Sequence, residues 1–319
     1  MRAREDKREA GRTAHTDRNP KSVRVGAGDS AAPAGRKIAM DMQTIEALYS
    51  EPTDAPLDHT SVSGYRTQTI KSGAALEVNA CPIVINRETR RAMRNAVTSA
   101  AQERINATNR WRRVARLLNA NFGAGDVWVT LTYRGECPEQ ERARKDVRNY
   151  LDRVKRLRKK RGLPELKYLG TIEHADGEGE TVRLHHHIVM PGGLDRDELE
   201  GMWPHGYAQT RRLQPDPDYG LEGMARYIVK GARVHAMTRK PGVTRWRSWT
   251  CSRNLIQPRV TVADHKLSRR RVERMAADLP GAAKEIFERL YKGYRFLSVD
   301  IRTAGDFPGA YIYVRMVRD

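Results

Sequence analysis

The segment RLHHHIVM, positions 183–190, contains the side chains best suited to chemistry. The pattern predicts a β-strand, and because a strand alternates its side chains, His185 and His187 share one face while His186 points to the other. Two imidazoles on one face can share one divalent ion. A run of three histidines also occurs on ordinary surface strands, and the run alone leaves that alternative open.

A carboxylate is expected beside these histidines if the preceding strand pairs with RLHHHIVM through a hairpin centred on Gly179. Glu173 then lies opposite His185 and completes a three-ligand site with His187. Two nitrogens and one oxygen suit Mg²⁺ or Mn²⁺ acting as a Lewis acid, and zinc also fits. A bulge would shift the register and make His186 the ligand, and Glu173 would then be an exposed charge at a strand end.

Tyr227 and Lys230 lie three residues apart in the segment GMARYIVK, positions 223–230. On a helix they share a face, so a phenol and an ammonium group can address one target. A tyrosine with its ordinary pKa of about 10 is a poor nucleophile unless a metal or cation is close. Lys230 could lower that pKa or neutralise a phosphate oxygen. A tyrosine at helical spacing is also a common core residue.

The elements that must position these residues predict an α+β fold with a central antiparallel sheet and helices on one face. The segment VWVTLTY is rich in β-branched and aromatic residues and predicts the first strand. The predicted strands cover residues 127–133, 166–173, 182–190 and 206–213, and the predicted helices cover residues 139–161, 195–202 and 219–234.

Appendages are expected on both sides of this unit. Residues 1–40 hold ten Lys and Arg without apolar periodicity, which predicts a disordered basic tail. The chain then divides into an N-terminal strand and helix region (41–122), an endonuclease domain as named below (123–262), and a C-terminal helix-strand region (263–319). Within the two flanking regions we expect strands over 65–85, 294–301 and 310–317, and helices over 87–121, 264–278 and 282–291.

The charge balance favours a polyanionic partner. The chain has 59 Lys and Arg against 39 Asp and Glu, a net charge of +20, and both nucleic acid and an anionic membrane surface fit this excess. No apolar run approaches the roughly 20 residues that span a bilayer, and no secretory signal follows the N-terminal arginines. Three scattered cysteines without a CxxC pair favour a reducing cytoplasm.

Several basic segments are candidates for DNA contacts. One interleaves cations with aromatic rings: Arg245, Trp246, Arg247 and Trp249. This pattern suits single-stranded DNA, although such tryptophans also pack within proteins. Another is a run on a predicted helix that can lie along a DNA backbone: Arg269, Arg270 and Arg271. The basic face of the helix over 139–161 is equally typical of a plain solvated surface.

The order of these parts resembles the replication initiators of the HUH endonuclease superfamily. The matching parts are VWVTLTY, then IE before a hairpin, then RLHHHIVM, then YIVK. The resemblance covers residues 127–231 and is closest to initiators of phages, plasmids and integrative elements of Gram-positive bacteria. Weaker matches flank it over 65–82, 98–123 and 252–258.

This resemblance implies a ferredoxin-like or RRM-like sheet and an enzyme that nicks one DNA strand to start rolling-circle replication. His185 and His187 would be the metal-binding pair, with Glu173 as accessory ligand. Tyr227 would attack the scissile phosphate and stay joined to the DNA 5′ end, leaving a 3′-OH, with Lys230 as the assisting cation. The expected partners are single-stranded or supercoiled origin DNA, a polymerase and, because the chain has no P-loop, a separate helicase.

Two alternatives to a replication initiator are a single-strand transposase of the same superfamily and a non-catalytic nucleic-acid-binding regulator. Such transposases usually carry glutamine four residues after the tyrosine, where this chain has Gly231. A regulator with an RNA-recognition sheet would carry aromatic residues where this chain has histidines. Because Gly223 and Gly231 occupy the positions one turn from Tyr227, we expect a single nucleophile. His186 departs from the family pattern, which usually has a bulky apolar residue there.

Overall fold

The computed structural model describes residues 41–50, 56–175, 181–237, 249–278 and 281–319. The described helices are α1 (Met42–Leu48), α2 (Arg87–Ala96), α3 (Ser99–Asn121), α4 (Gln140–Lys160), α5 (Arg196–Gly201), α6 (Glu222–Met237), α7 (Arg269–Ala277) and α8 (Gly281–Leu290). The described strands are β1 (Val62–Ser72), β2 (Ala75–Val84), β3 (Val127–Tyr133), β4 (Leu169–Ala175), β5 (Thr181–Met190), β6 (Gly206–Arg212), β7 (Thr250–Cys251), β8 (Arg259–Leu267), β9 (Tyr294–Ala304) and β10 (Phe307–Arg318). The predicted tail over 1–40 lies outside the described residues.

One five-stranded antiparallel sheet, which we call the central sheet, has the strand order β6-β3-β5-β4-β7. Its first four strands come from the unit β3-α4-β4-β5-α5-β6, the connectivity of a ferredoxin-like fold. β3 lies between β5 and β6 and alternates buried and half-buried side chains, as expected for a strand with helices on both sides. The predicted α+β class with a central antiparallel sheet is confirmed.

Helices cover both faces of the central sheet, whereas the sequence predicted them on one face. α4 and α5 pack on the face that includes Val129, Leu131 and Ile188. α3 and α6 pack on the opposite face, against Leu169 and Val189. A local pattern cannot reveal this second layer, because α3 precedes the first strand of the unit and joins the sheet only by long-range packing.

A second five-stranded antiparallel sheet, which we call the flanking sheet, has the order β8-β1-β2-β10-β9. It combines strands from the predicted N-terminal region with strands that follow the central sheet. α7 and α8 pack on one face, and α1 and α2 pack on the other. Among the described residues, no helix has both the length and the apolar character needed to cross a bilayer.

Two predicted helices differ from the structure. The helix predicted over 87–121 is broken between α2 and α3, because the Thr98 side chain accepts a hydrogen bond from the Ala101 backbone N–H and caps a new helix. The helix predicted over 264–278 starts only at Arg269, after the Ser268 cap. Its first four residues belong to β8, which pairs with the distant strand β1.

Helix α3 connects the two sheets through buried charged groups. The Arg112 guanidinium pairs with Glu46 of α1 at 2.5 Å, and both side chains are buried. Arg116 donates two hydrogen bonds to the Glu77 carboxylate of β2, at 2.9 and 2.6 Å. The Tyr313 hydroxyl of β10 donates a third, at 2.9 Å. Burial would raise the pKa of Glu77, but the hydrogen bonds and charge of Arg116 outweigh it and lower the pKa.

Replacing Glu77 by glutamine should lower the free energy of unfolding by about 2 kcal/mol at neutral pH, because Arg116 loses its buried partner. Since the folded-state pKa of Glu77 is depressed, its contribution is present above the unfolded pKa of about 4.3 and is lost as the pH falls below it. The gap between wild type and Glu77→Gln in urea unfolding should therefore narrow from about pH 7 to about pH 4.

The control for this measurement is Glu285→Gln, which removes the carboxylate from an exposed pair with Arg274. Its unfolding free energy should match the wild type at both pH values. A gap for Glu77→Gln that stays constant with pH would show that the carboxylate charge contributes nothing to stability.

Candidate active site

The pairing of β4 with β5 brings the predicted site residues together. Glu173 pairs with His185, and Thr171 pairs with His187, in an antiparallel ladder. Directly paired residues share a face, so Glu173, His185 and His187 lie on the face that α3 and α6 partly cover. The register predicted from the hairpin is confirmed, and the bulge between Glu173 and Ala175 falls outside these pairs.

Glu173 is the centre of the site. Its Oε2 atom lies 3.0 Å from His185 Nε2 and 3.2 Å from His187 Nε2. The three potential ligand atoms all lie within 4.8 Å of one another. Glu173, His185 and His187 can therefore hold one metal ion, with two nitrogens and a carboxylate oxygen as donors.

The second nitrogen of each imidazole supports this assignment. His185 Nδ1 lies 2.7 Å from the Arg183 carbonyl oxygen, which can only accept, so this nitrogen carries a proton. His187 Nδ1 lies 3.1 Å from the Thr130 hydroxyl oxygen. Hydrogen bonding at Nδ1 that leaves Nε2 facing the site is the usual arrangement of metal-ligating histidines. The residues present fit a divalent cation.

The electrostatics of the site follow from burial and from these contacts. Burial would raise the pKa of Glu173, but the hydrogen bonds from both histidines outweigh it and hold the pKa far below its ordinary value. Burial would lower the pKa of His185, but its hydrogen bond to Glu173 raises it instead. At His187 burial dominates, and the pKa is lowered. The site is therefore built around an ionised carboxylate.

Tyr227 of α6 completes the cluster. Its hydroxyl donates to Glu173 Oε2 at 3.1 Å and lies 3.2 Å from His187 Nε2. The residue is 46% exposed, so the phenol oxygen is at the surface of the site. The Trp128 ring of β3 stacks on the His187 ring, with 4.8 Å between centroids, and meets the Tyr227 ring edge-on at 5.9 Å.

The start of α6 is held by α3. Asn119 Oδ1 accepts a hydrogen bond from the Leu221 backbone N–H at 2.7 Å. Gly220 has a φ of +58°, and a Cβ there would lie 2.5 Å from Asn119 Oδ1, so only glycine fits. One residue after Leu221, Glu222 pairs with Arg315 of β10 at 3.1 Å. The flanking sheet thereby helps to position the helix that carries Tyr227.

An open groove of about 840 Å³ extends from the site across the central sheet. His187 and Tyr227 line one end of it, and residues of β6 and of the segment before α6 line the rest. The lining combines an aromatic ring at Tyr219, a cation at Arg211 and an amide at Gln209. A groove with these side chains can accept an extended, negatively charged chain with planar groups.

His186 lies on the opposite face from the site. Its Nε2 is 3.1 Å from the Tyr133 hydroxyl, and its ring meets the Trp203 ring edge-on at 5.9 Å. Burial lowers the pKa of His186 to about 3, so the ring is neutral. The residue fills the core position where the family pattern usually has an apolar side chain, and its place on that face excludes the shifted register.

The remaining predicted site residues are outside the cluster or outside the described part of the chain. Lys230 lies within α6, one turn after Tyr227, but its side chain is outside the described residues. Arg245, Trp246 and Arg247 are also outside them. Trp249 is partly buried against the core beneath α3. The exposed arginines of α7 lie over the flanking sheet: Arg269, Arg270 and Arg271. Their contacts with DNA stay predictions.

Trp128 and Thr130 are site residues that the sequence analysis did not identify. Both lie on the site face of β3, because Thr130 pairs directly with His187 and Trp128 lies two residues before it. The alternation in VWVTLTY already places residues 128, 130 and 132 on one face. What the sequence lacks is a local sign that β3, rather than another strand, is the neighbour of β5.

A family model described as a replication-associated protein of the ORF2 group matches residues 126–232 of the chain. The matched segment starts immediately before β3 and ends within α6, so it contains Glu173, His185, His187 and Tyr227. The match covers about a third of the chain and supports a role in replication initiation. Searches of curated proteins and of solved structures found no match.

Metal binding should depend on the triad. In isothermal titration calorimetry, Mn²⁺ should bind the wild type, and His185→Ala or His187→Ala should weaken binding by about tenfold or more, because each removes one of three donors. Glu173→Ala should also weaken it. His186→Leu, which changes the other face of β5, is the matched control and should bind like the wild type. Unchanged Mn²⁺ affinity in His187→Ala would refute the assignment.

Proposed function

We propose that this chain is a metal-dependent endonuclease that cuts one DNA strand with Tyr227 and so initiates rolling-circle replication, as an HUH-type initiator. The observation that carries the proposal is the Tyr227 hydroxyl, which lies 3.1 Å from Glu173 Oε2 and 3.2 Å from His187 Nε2. A phenol that is exposed, fixed on a helix and in contact with a candidate metal site suits nucleophilic attack on a phosphate. The family match supports the role in replication.

The protonation of Tyr227 explains why the reaction needs a cation. Burial, followed by the nearby Glu173 carboxylate, raises the pKa of Tyr227 to about 12. Without a cation the phenol is therefore protonated at neutral pH and is a poor nucleophile. A divalent ion bound by Glu173, His185 and His187 would supply Lewis-acid chemistry, polarising a phosphate oxygen and favouring the phenolate. Lys230, one turn further along α6, is proposed to assist through its charge.

The proposed step is a transesterification. The Tyr227 Oη forms a bond to phosphorus as the bond from phosphorus to the 3′ oxygen breaks. The Oη proton leaves to solvent, and the departing oxygen takes up a proton to become a free 3′-OH. The products are a 5′-phosphotyrosine and a primer end, and reversal of the step rejoins the strands. No oxidant or ATP is needed, because one phosphodiester is exchanged for another.

The groove favours a single strand as the substrate. Tyr207, Gln209 and Arg211 of β6 form a row on the site face, since they pair with Thr132, Thr130 and Trp128. All three are exposed, and Tyr207 is 63% exposed. A ring for stacking, an amide for base edges and a cation for phosphate suit unpaired nucleotides that lead away from Tyr227.

Strand opening is proposed to come from outside the chain. Each base-pair step that opens loses about 1.4 kcal/mol of stacking, and negative supercoiling can supply that energy. The sequence contains no P-loop with which to use ATP. A separate helicase and a polymerase would then extend the 3′-OH.

Changing Tyr227 to phenylalanine should abolish the covalent protein–DNA adduct on a denaturing gel, because only the attacking oxygen is removed. Binding of the same single-stranded origin oligonucleotide should persist. The matched control is Tyr219→Phe, which changes another exposed tyrosine of the same groove and should keep adduct formation. Adducts in Tyr227→Phe that disappear in Tyr219→Phe would move the nucleophile to Tyr219.

Cleavage should require an unpaired or negatively supercoiled origin. With Mn²⁺ and without ATP, a single-stranded oligonucleotide and a supercoiled plasmid should be nicked. A relaxed linear duplex of the same sequence should give at most a few per cent of that product, because its stacking must be disrupted first. Equal cleavage of all three substrates would show that the protein opens the duplex by itself.

A further inference from the structure

The exposed face of α4 carries an unusual concentration of positive charge. Its 21 residues include ten Lys and Arg against three Asp and Glu. Tyr150 and Val154 face the central sheet and are fully buried. On the opposite side, a stripe at helical spacing is exposed to solvent, which we call the α4 stripe: Lys145, Arg148, Arg156 and Lys159.

Few acidic groups neutralise the α4 stripe. Arg148 and Arg156 donate only to backbone carbonyls of their own helix, those of Arg144 and Asp152. Within the described residues, neither Lys145 nor Lys159 forms an ion pair. The neighbouring carboxylates are engaged at the margins of the stripe: Asp146 with Arg142, Glu165 with Lys155, and Glu198 with Arg161. Asp152 is the acidic residue in the middle of the stripe.

The α4 stripe lies on the other side of the central sheet from Tyr227. α4 packs on the face of β3 that contains Val129 and Leu131, whereas Trp128 and Thr130 of the same strand line the groove. A nucleic acid on the α4 stripe is therefore separate from the strand that reaches the site. The stripe needs an occupant of its own.

We propose that the α4 stripe binds the sugar-phosphate backbone of duplex DNA. Its exposed positions contain no aromatic ring, so it offers phosphates a partner and offers unpaired bases no stacking surface, unlike the groove. The helical rise from Lys145 to Lys159 is about 21 Å. That length faces about six phosphates of one strand, which are about 3.4 Å apart along the duplex axis.

This binding mode is sequence-independent, and it rests on the proposed function only in taking DNA as the substrate. The duplex beside the nick would lie along α4 while the displaced strand passes to the opposite face of the sheet. Contacts with phosphates position a protein but carry no base information, so the α4 stripe would add affinity rather than origin specificity.

The test measures binding of a labelled blunt duplex without origin sequence, in the full chain carrying Tyr227→Phe so that no cleavage occurs. One variant changes the four basic residues of the α4 stripe to glutamine. The control changes four arginines of α2 to glutamine, which removes the same charge from another helix: Arg87, Arg90, Arg91 and Arg94. Thermal melting verifies that both variants are folded.

The α4 variant should bind the duplex at least about tenfold more weakly near 0.1 M salt, and its slope of log affinity against log salt should fall by about three. The α2 control should bind within about twofold of the parent. A complementary variant, Asp152→Asn, should bind more tightly, and it provides a readout should the fourfold variant fold poorly.

Three results would overturn the proposal. Equal losses in the α2 and α4 variants would mean that only net charge matters. Equal losses for duplex and for single strands of the same length would mean that the stripe does not select duplex. Loss of binding to phosphatidylserine vesicles with unchanged duplex binding would make the partner a membrane surface.

The adduct assay with Tyr227 intact separates this proposal from the enzymatic one. The α4 variant should still form adducts on a short single-stranded oligonucleotide. If the wild type forms none, the nicking function fails while the duplex measurement stands. If adducts form and duplex binding is unchanged by the α4 variant, only the α4 proposal fails.

Discussion

Three polar side chains converge on one oxygen, Glu173 Oε2, and the site depends on that convergence. A buried carboxylate stays ionised only if donors replace the water it has lost, and here His185, His187 and Tyr227 supply them. The two histidines arrive through the pairing of β4 with β5. A slip of one residue in that ladder would turn both imidazoles toward α4 and bring His186 to the groove. Strand register is therefore the first requirement of the chemistry.

The third side chain imposes a different requirement, because Tyr227 belongs to a helix and not to the sheet. Its distance from Glu173 is set by how α6 packs on α3 and by how α6 begins. The close approach of Gly220 to Asn119 limits where the first turn can lie, and the pair of Glu222 with Arg315 ties the same turn to β10. The last strand of the chain thus contributes to the geometry of a site in its middle. A family match that ends at residue 232 does not include this support.

Local patterns were sufficient for the parts of the site that lie within one hairpin. Alternation separated His186 from its neighbours, and the symmetry of the loop paired Glu173 with His185. Long-range pairing was not accessible in the same way. The contact of β8 with β1 joins residues almost two hundred positions apart, and no residue in either strand specifies its partner. For the same reason Trp128 was identified as a strand residue but not as a neighbour of His187, and α3 as a helix but not as the element between two sheets.

The two faces of the central sheet present different chemistry to an anionic partner. On the groove side, a phosphate must approach the ionised Glu173, and that repulsion can be overcome only when a cation balances the carboxylate. On the α4 side, Asp152 is the one acidic residue within the stripe, and attraction needs no metal. A net charge of +20 draws DNA to either face over about a Debye length. The groove therefore gains selectivity from its rings and its metal requirement, whereas α4 would respond to phosphate charge alone and weaken steeply with salt.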